Sequence, residues 1–293
     1  MALSIFTSGA AMSSTNALNK SNSILSTAME RLGTGKRINS AADDAAGLQI
    51  ATRLQGQVNG MGVAQRNVSD ATAMLQTAEG AFDEVTNVLY RMKDLATQAA
   101  NDTNSKNDRT AVKAELTELQ AELTNIMTNT KYAGDVLFGD GTAATGGRLA
   151  GKLNFQIGAG ASEKLELDLN AGAGKALETT VTSLTGFDLD IATGTGTADL
   201  GKITTLMDNV QTALDNVGGV RSALGANINR LGHTSANLAN MKDNTTLALG
   251  NIRDADFASE ATNMTRNQML AQTSMSMLKQ ANSMSGMVMS LLG

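Results

Sequence analysis

Three places in this chain hold residue types that could do chemistry. Gly33-Thr34-Gly35-Lys36 comes nearest to a phosphate loop, in which glycines free backbone amides and a lysine meets the phosphate charge. The full pattern G-x-x-x-x-G-K-[ST] would put its first glycine on Glu30 and its hydroxyl on Arg37, so the stretch reads as a helix break. Asp43-Asp44 with Asp254 and Asp256 offer carboxylates to a hard cation. Two acidic pairs without a coordinating loop are better matched to helix N-termini, where the dipole favours negative charge. His233 is the one histidine. It falls two residues past an apolar seam position with no second histidine or serine constellation around it, and reads as a solvated side chain.

Cysteine is absent, which removes thiolate nucleophiles, disulfides and cysteine metal sites. The expectation is a protein that is not an enzyme and that needs no cofactor and no metal. The 23 basic and 28 acidic residues give a net charge of -5 without a basic stripe, so nucleic acid is disfavoured as a partner. No apolar run approaches the roughly 18 residues of a membrane span, and the start lacks a signal-peptide pattern. Membrane insertion is not expected. Aromatics make up 3% of the chain and proline is absent, a composition suited to long helices rather than to an aromatic globular core.

The elements that would position these residues are helices with heptad seams. Leu18, Leu25 and Leu32 repeat every seven residues near the start, and Leu270, Met277, Met284 and Leu291 do so at the end. An apolar stripe of that period is buried only against another helix, so the N- and C-termini are expected to pair. Ser40 with Asp43 resembles a capping box that starts a new helix near residue 41.

That helix carries the strongest pattern. Met61, Val68, Leu75, Phe82, Leu89 and Ala96 fall seven apart, with Ala64, Ala71, Ala78, Val85, Met92 and Ala99 three residues after each. All twelve are apolar, as a coiled-coil seam requires. A polar turn at 101–107 leads to a shorter antiparallel helix with Val112, Leu116, Leu119, Leu123 and Ile126 on one face. Alternation in Leu153–Ile157 and Leu165–Leu169, with Gly158 and Gly160 between, predicts a β-hairpin at about 152–169. Residues 170–200 form a short Gly/Thr/Ala-rich excursion. Ile203, Val210, Val217, Leu224, Leu231 and Leu238 then resume the seven-residue spacing. The fold class is mainly α: a long antiparallel helical coiled-coil hairpin with a small β-hairpin region and paired termini.

The segments ERLGTGKRINSAADDAAGLQIA (30–51), QTAEGAFDEVTNVLYRMKDLATQAAN (76–101) and RSALGANINRL (221–231), with NIRDADFASEATNMTRNQMLAQ and MLKQAN near the end, closely resemble bacterial flagellin. The resemblance covers about 1–138 and 200–293. Only about thirty residues stand where many flagellins insert whole domains, so the chain resembles a short form lacking large outer domains. RLQGQ at 53–57 and MKDLA at 92–96 are similar to lateral-type members.

The resemblance implies a structural subunit that polymerises into the extracellular flagellar filament for motility, exported by the flagellar apparatus, with ends that fold on assembly. It implies an inner terminal coiled-coil domain of 1–43 and 253–293 and a helical wall domain of 44–252. Subunit packing would fall to Leu18, Leu25, Leu32, Leu270, Met277, Met284 and Leu291. The implied partners are other copies of the chain, an export chaperone at the C-terminal helix, filament cap and hook-associated proteins, and the host innate flagellin receptor through Arg91, Leu95 and Glu115. Lys93 and Asp94 depart from the family's commoner Arg and Glu, and lysine lacks the bidentate geometry of arginine. A hook-filament junction protein and a secreted coiled-coil protein that does not polymerise are the competing readings.

Overall fold

The structure, a computed structural model, describes residues 9–139, 147–169, 187–188 and 197–292. Most of the 170–200 excursion lies outside the described residues, as do the side chains of 197–200 and 285–292, Leu291 among them. The elements in order are α1 (Gly9–Thr34), α2 (Ala45–Ala99), α3 (Lys106–Asn129), β1 (Lys131–Tyr132), β2 (Asp135–Val136), β3 (Leu153–Gln156), β4 (Lys164–Leu167), α4 (Thr197–Arg253) and α5 (Phe257–Leu292), with a single 3-10 turn at Arg148–Ala150. The protein is mainly α, as its heptads require. Its contacts divide it into two compact units, 1–58 with 243–293, and 59–242.

In the unit 59–242, all twelve seam residues of α2 are buried, none more than 4% exposed. The matching stripe of α4, Ile203 through Leu238, is buried as well. Polar ties fix how the two helices run. Arg221 Nε donates to Glu79 Oε1 at 2.9 Å, and its Nη2 lies 3.1 Å from Asp83 Oδ1. Further along, Lys93 Nζ donates to Gln211 Oε1 at 2.7 Å. Numbers rise on α2 as they fall on α4, so the pair is antiparallel.

Helix α3 starts on a capping box in which the Ser105 hydroxyl accepts from the Asp108 amide and the Asp108 carboxylate accepts from the Ser105 amide. That arrangement satisfies two otherwise unpaired donors. Val112, Leu116 and Leu123 are buried as their spacing predicts, and Met127 is buried with them, whereas Leu119 and Ile126 are half-buried. Phe82 meets Phe138 edge-on, with ring centroids 4.8 Å apart and planes at 63°.

Among the described residues, two hairpins interrupt the helices. The predicted one is present: β3 and β4 pair antiparallel with Leu153 opposite Leu167 and Phe155 opposite Leu165. Leu165 and Leu167 are buried while Lys164 and Glu166 face out. It seats on α2, where Asn67 Nδ2 donates to the Gln156 carbonyl at 3.2 Å. The second, β1–β2, turns at Ala133 and Gly134 with φ of 52° and 93°, the two positive values of a type I′ turn. With only two residues per strand it has no alternation to read in the sequence.

In the other unit, α1 packs against α5. The cap of α2 differs from expectation. Asp43 does not start the helix but closes a turn, accepting from the Asn39 and Ser40 amides at 3.1 and 2.9 Å. The helix begins at Ala45, and Asp44 accepts from the Gly47 amide at 2.8 Å. The Ser40–Asp43 pair makes a turn of its own, and the cap falls four residues further on, at Asp44 rather than Ser40.

Candidate assembly surface of the terminal helices

The α1–α2 and α4–α5 breaks are stitched together. Gly35, at φ 70°, takes the left-handed backbone that ends many helices. Its carbonyl accepts from the Ala255 amide at 3.0 Å, and the Arg37 amide donates to the Arg253 carbonyl at 2.6 Å, making an antiparallel bridge between Lys36 and Asp254. Arg37 Nη2 adds a bond to the Ile252 carbonyl at 2.8 Å. The stretch that resembled a phosphate loop is therefore a helix stop whose backbone groups are spent on the opposite break. Asp256 accepts from the Ala258 amide at 3.0 Å and the Ser259 hydroxyl at 2.8 Å. The Ser259 bond holds its carboxyl below the usual carboxylate range, as an N-terminal cap should.

From this bridge α1 runs back toward the start of the chain and α5 runs on toward its end, so the two pair antiparallel. Arg31 Nη1 and Glu260 Oε1 meet at 3.0 Å next to the bridge. On α1 the face turned inward carries Ser14, Leu18, Ser21, Leu25, Ala28 and Leu32, with Ser21 and Ala28 buried and the others half-buried. This is the predicted N-terminal stripe with small residues interleaved at three-residue offsets.

On α5 the inward face is not the predicted one. Asn267 and Ala271 are buried, and Ser274, Leu278 and Ala281 are half-buried, again at steps of four and three. Leu270, Met277 and Met284 are instead 48%, 60% and 53% exposed. The face α5 turns to α1 mixes small side chains with Leu278, and α1 meets it with Ser14, Ser21 and Ala28 between its leucines, small residues that let two backbones come close. Asn267 satisfies its own amide by donating to the Asn263 carbonyl at 2.8 Å, so it can be buried without a partner on α1. The sequence carries this face as a second seven-residue spacing, Asn267, Ser274 and Ala281 with Ala271 and Leu278.

Leu270, Met277 and Met284 thus form an exposed apolar stripe along one flank of α5, beside the face turned to α1, with Met269 next to it at 58% exposure. Large apolar side chains in a row on a solvent-facing helix mark a surface made for another surface.

The three residues singled out for receptor contact are distributed unequally. Arg91 donates through Nε and Nη2 to Glu115 Oε1 at 2.9 and 2.6 Å, and both side chains are about half exposed. Leu95 is 2% exposed and belongs to the core. His233 is exposed on α4, at the edge of an open groove of about 570 Å³ with Arg230, Glu163 and Ile157 on its walls.

The chain matches the family model described as the bacterial flagellin N-terminal helical region over residues 5–143, and that of the bacterial flagellin C-terminal helical region over 207–292. It is 34% identical to Flagellin A of Vibrio anguillarum over an alignment of 378 positions that takes in all of both chains. As this chain has 293 residues, the Vibrio protein carries sequence that this one lacks. A flagellin of Halalkalibacterium halodurans is 38% identical over 269 residues, 90% of each chain. Among solved structures, a putative flagellar hook-associated protein from Vibrio parahaemolyticus superposes with a TM-score of 0.56 at 16% identity, covering 72% of this chain and all of the other. That likeness speaks for the fold alone.

Proposed function

The chain belongs to the bacterial flagellin family, whose members are structural subunits of the extracellular flagellar filament and not enzymes, and from that premise we propose how its parts divide the work of polymerisation. The inner domain is 1–43 with 253–293, and the wall domain is 44–252, with the β3–β4 hairpin on it. Subunit packing runs through Leu18, Leu25, Leu32, Leu270, Met277, Met284 and Leu291. The outer stripe of α5 meets neighbouring copies, and the half-exposed flanks of the α1 leucines are covered with it.

The observation that supports this reading is the exposure of Leu270, Met277 and Met284 on a helix whose neighbouring face is already engaged by α1. Fully burying side chains of this size contributes roughly 1.5 to 3 kcal/mol each, which a polymer recovers and a monomer does not. The terminal helices gain their remaining order as that surface closes, so folding of the ends and assembly are coupled. Before assembly the same stripe is the natural seat for an export chaperone, and at the filament ends for cap and hook-associated proteins, because methionines adapt to several partners.

The test is seeded polymerisation of a Met277→Glu/Met284→Glu double variant, followed by electron microscopy. The reading expects a soluble subunit with unchanged helicity that does not extend filament seeds. Uniform filaments growing at the parental rate would remove the stripe from the interface. For the host receptor, the exposed Arg91 and Glu115 are the contact residues this reading keeps, and Leu95 acts by holding the helix beneath them.

A further inference from the structure

Sixteen methionines occur in this chain, and those with described side chains range from buried to well exposed. Met61, Met74, Met92 and Met127 are at most 4% exposed. On α5, Met269, Met275, Met277 and Met284 are 58%, 48%, 60% and 53% exposed, and elsewhere Met12, Met29 and Met241 are 60%, 52% and 48% exposed. We propose that the four exposed thioethers of α5 are a redox modification site, oxidised by peroxide in the free subunit, and that their sulfoxides block assembly until reduced. The inference rests on the reading of the outer α5 stripe as a subunit-packing surface.

The chemistry is self-contained once the oxidant is a hydroperoxide. A sulfur lone pair attacks one peroxide oxygen, the S–O bond forms as the O–O bond breaks, and the proton transfer that follows releases water. Sulfur loses two electrons and the peroxide gains them. Access decides which thioethers react, because the oxidant must reach the sulfur. A flexible apolar side chain becomes polar and chiral, and its new oxygen must be stripped of water to enter an apolar contact. In the assembled state neighbouring copies cover the same sulfurs, so the filament is protected where the subunit is vulnerable. Reductases that return sulfoxide to thioether would restore competence.

The experiment treats purified full-length subunit with hydrogen peroxide, maps sulfoxides by peptide mass spectrometry, and measures extension of filament seeds. Met269, Met275, Met277 and Met284 are expected to oxidise at least about tenfold faster than the four buried methionines, with a comparable fall in extension that methionine sulfoxide reductase reverses. Preformed filaments are expected to oxidise more slowly at the same four positions. A variant with Met269→Leu, Met275→Leu, Met277→Leu and Met284→Leu is read against its own untreated extension rate, which peroxide should leave unchanged.

Equal inhibition of that variant and the parent overturns the proposal, as does full extension by a parent carrying all four sulfoxides. The Met277→Glu/Met284→Glu variant separates the two levels of inference. If it still polymerises, the packing reading has failed; if it does not, but the sulfoxides are harmless, only the redox proposal has.

Discussion

Arg31 and Glu260 are separated by 229 positions in the chain and by 3.0 Å in the fold. Their side chains are only 28% and 12% exposed, and they close the pairing of α1 with α5 next to the Lys36–Asp254 bridge. Removing Glu260 leaves a cation with one nitrogen, Nε, already buried without a partner. The Glu260→Ala variant should lose about 1 to 2 kcal/mol of local stability. Hydrogen exchange should show amides of α1 and α5 exchanging several-fold faster or more, while the amides of the α2 seam from 61 to 99 keep their protection.

Burial predicts opposite behaviour for two apolar residues of similar size. Phe82 is fully buried against Phe138, so Phe82→Ala should cost the free subunit about 3 to 5 kcal/mol. Leu270 is 48% exposed, and Leu270→Ala should change its stability by less than about 0.5 kcal/mol. In seeded polymerisation the order reverses per unit of stability lost, with Leu270→Ala slowing extension of an otherwise stable subunit. Urea unfolding and extension rates measured on the same preparations check both halves.

Glycines in α2 are not equivalent. A Cβ at Gly60 would stand 2.8 Å from the Ala159 Cβ in the β3–β4 loop, whereas at Gly56, Gly62 and Gly80 it would meet nothing within 4 Å. Alanine at each open position should stabilise the free subunit by about 0.5 to 1 kcal/mol through helix propensity. Gly60→Ala should destabilise it by displacing the hairpin. Thermal denaturation of the four single variants gives the ranking.

Three aspartates at turns and helix starts titrate below the usual value of 3.8. The Ser40 amide holds Asp43 down, the Ser105 hydroxyl Asp108, and the Ser259 hydroxyl Asp256. A carboxyl whose folded value lies below its unfolded one contributes stability that is complete above the unfolded value and is lost as pH falls toward the folded one. Acid should therefore loosen these ends below about pH 4 and leave them unaffected between neutrality and pH 5. An Asp43→Asn/Asp108→Asn/Asp256→Asn variant should be less stable at neutral pH, with a shallower acid limb in a circular dichroism titration.

Arg91 and Glu115 hold each other across α2 and α3 with both side chains half exposed. Exposed pairs contribute little to stability, so Arg91→Ala should melt within a few degrees of the parent. If this surface engages the host receptor, the same change lowers signalling in reporter cells at matched concentration. Equal signalling from parent and Arg91→Ala proteins would exclude the site. Leu95→Ala is the wrong probe, because Leu95 is 2% exposed and its loss would damage the core first.

The long seams could be read from the sequence because one stripe is buried throughout α2 from 61 to 99 and α4 from 203 to 238. Twelve apolar residues in one register leave no second choice of face. The β3–β4 hairpin was legible for a similar reason, since Leu165 and Leu167 alternate with Lys164 and Glu166. Short devices were not legible. The β1–β2 turn has too few residues for a period, and Ser40 and Asp44 both offer an oxygen to cap the helix that follows.

For the terminal helices, sequence determined that two stripes exist and that the ends belong together, but not which face of α5 meets α1. Two heptads run along α5, one of methionine and leucine and one of small residues around Asn267 and Ala271. Hydrophobicity favours the first, while close approach of two backbones favours the second. Only the tertiary structure, which buries Ser21 and Ala28 on α1 and Asn267 and Ala271 on α5, decided the matter, because the distance between helix axes is set by both partners at once. That choice leaves Leu270, Met277 and Met284 facing outward, on the surface assigned to assembly.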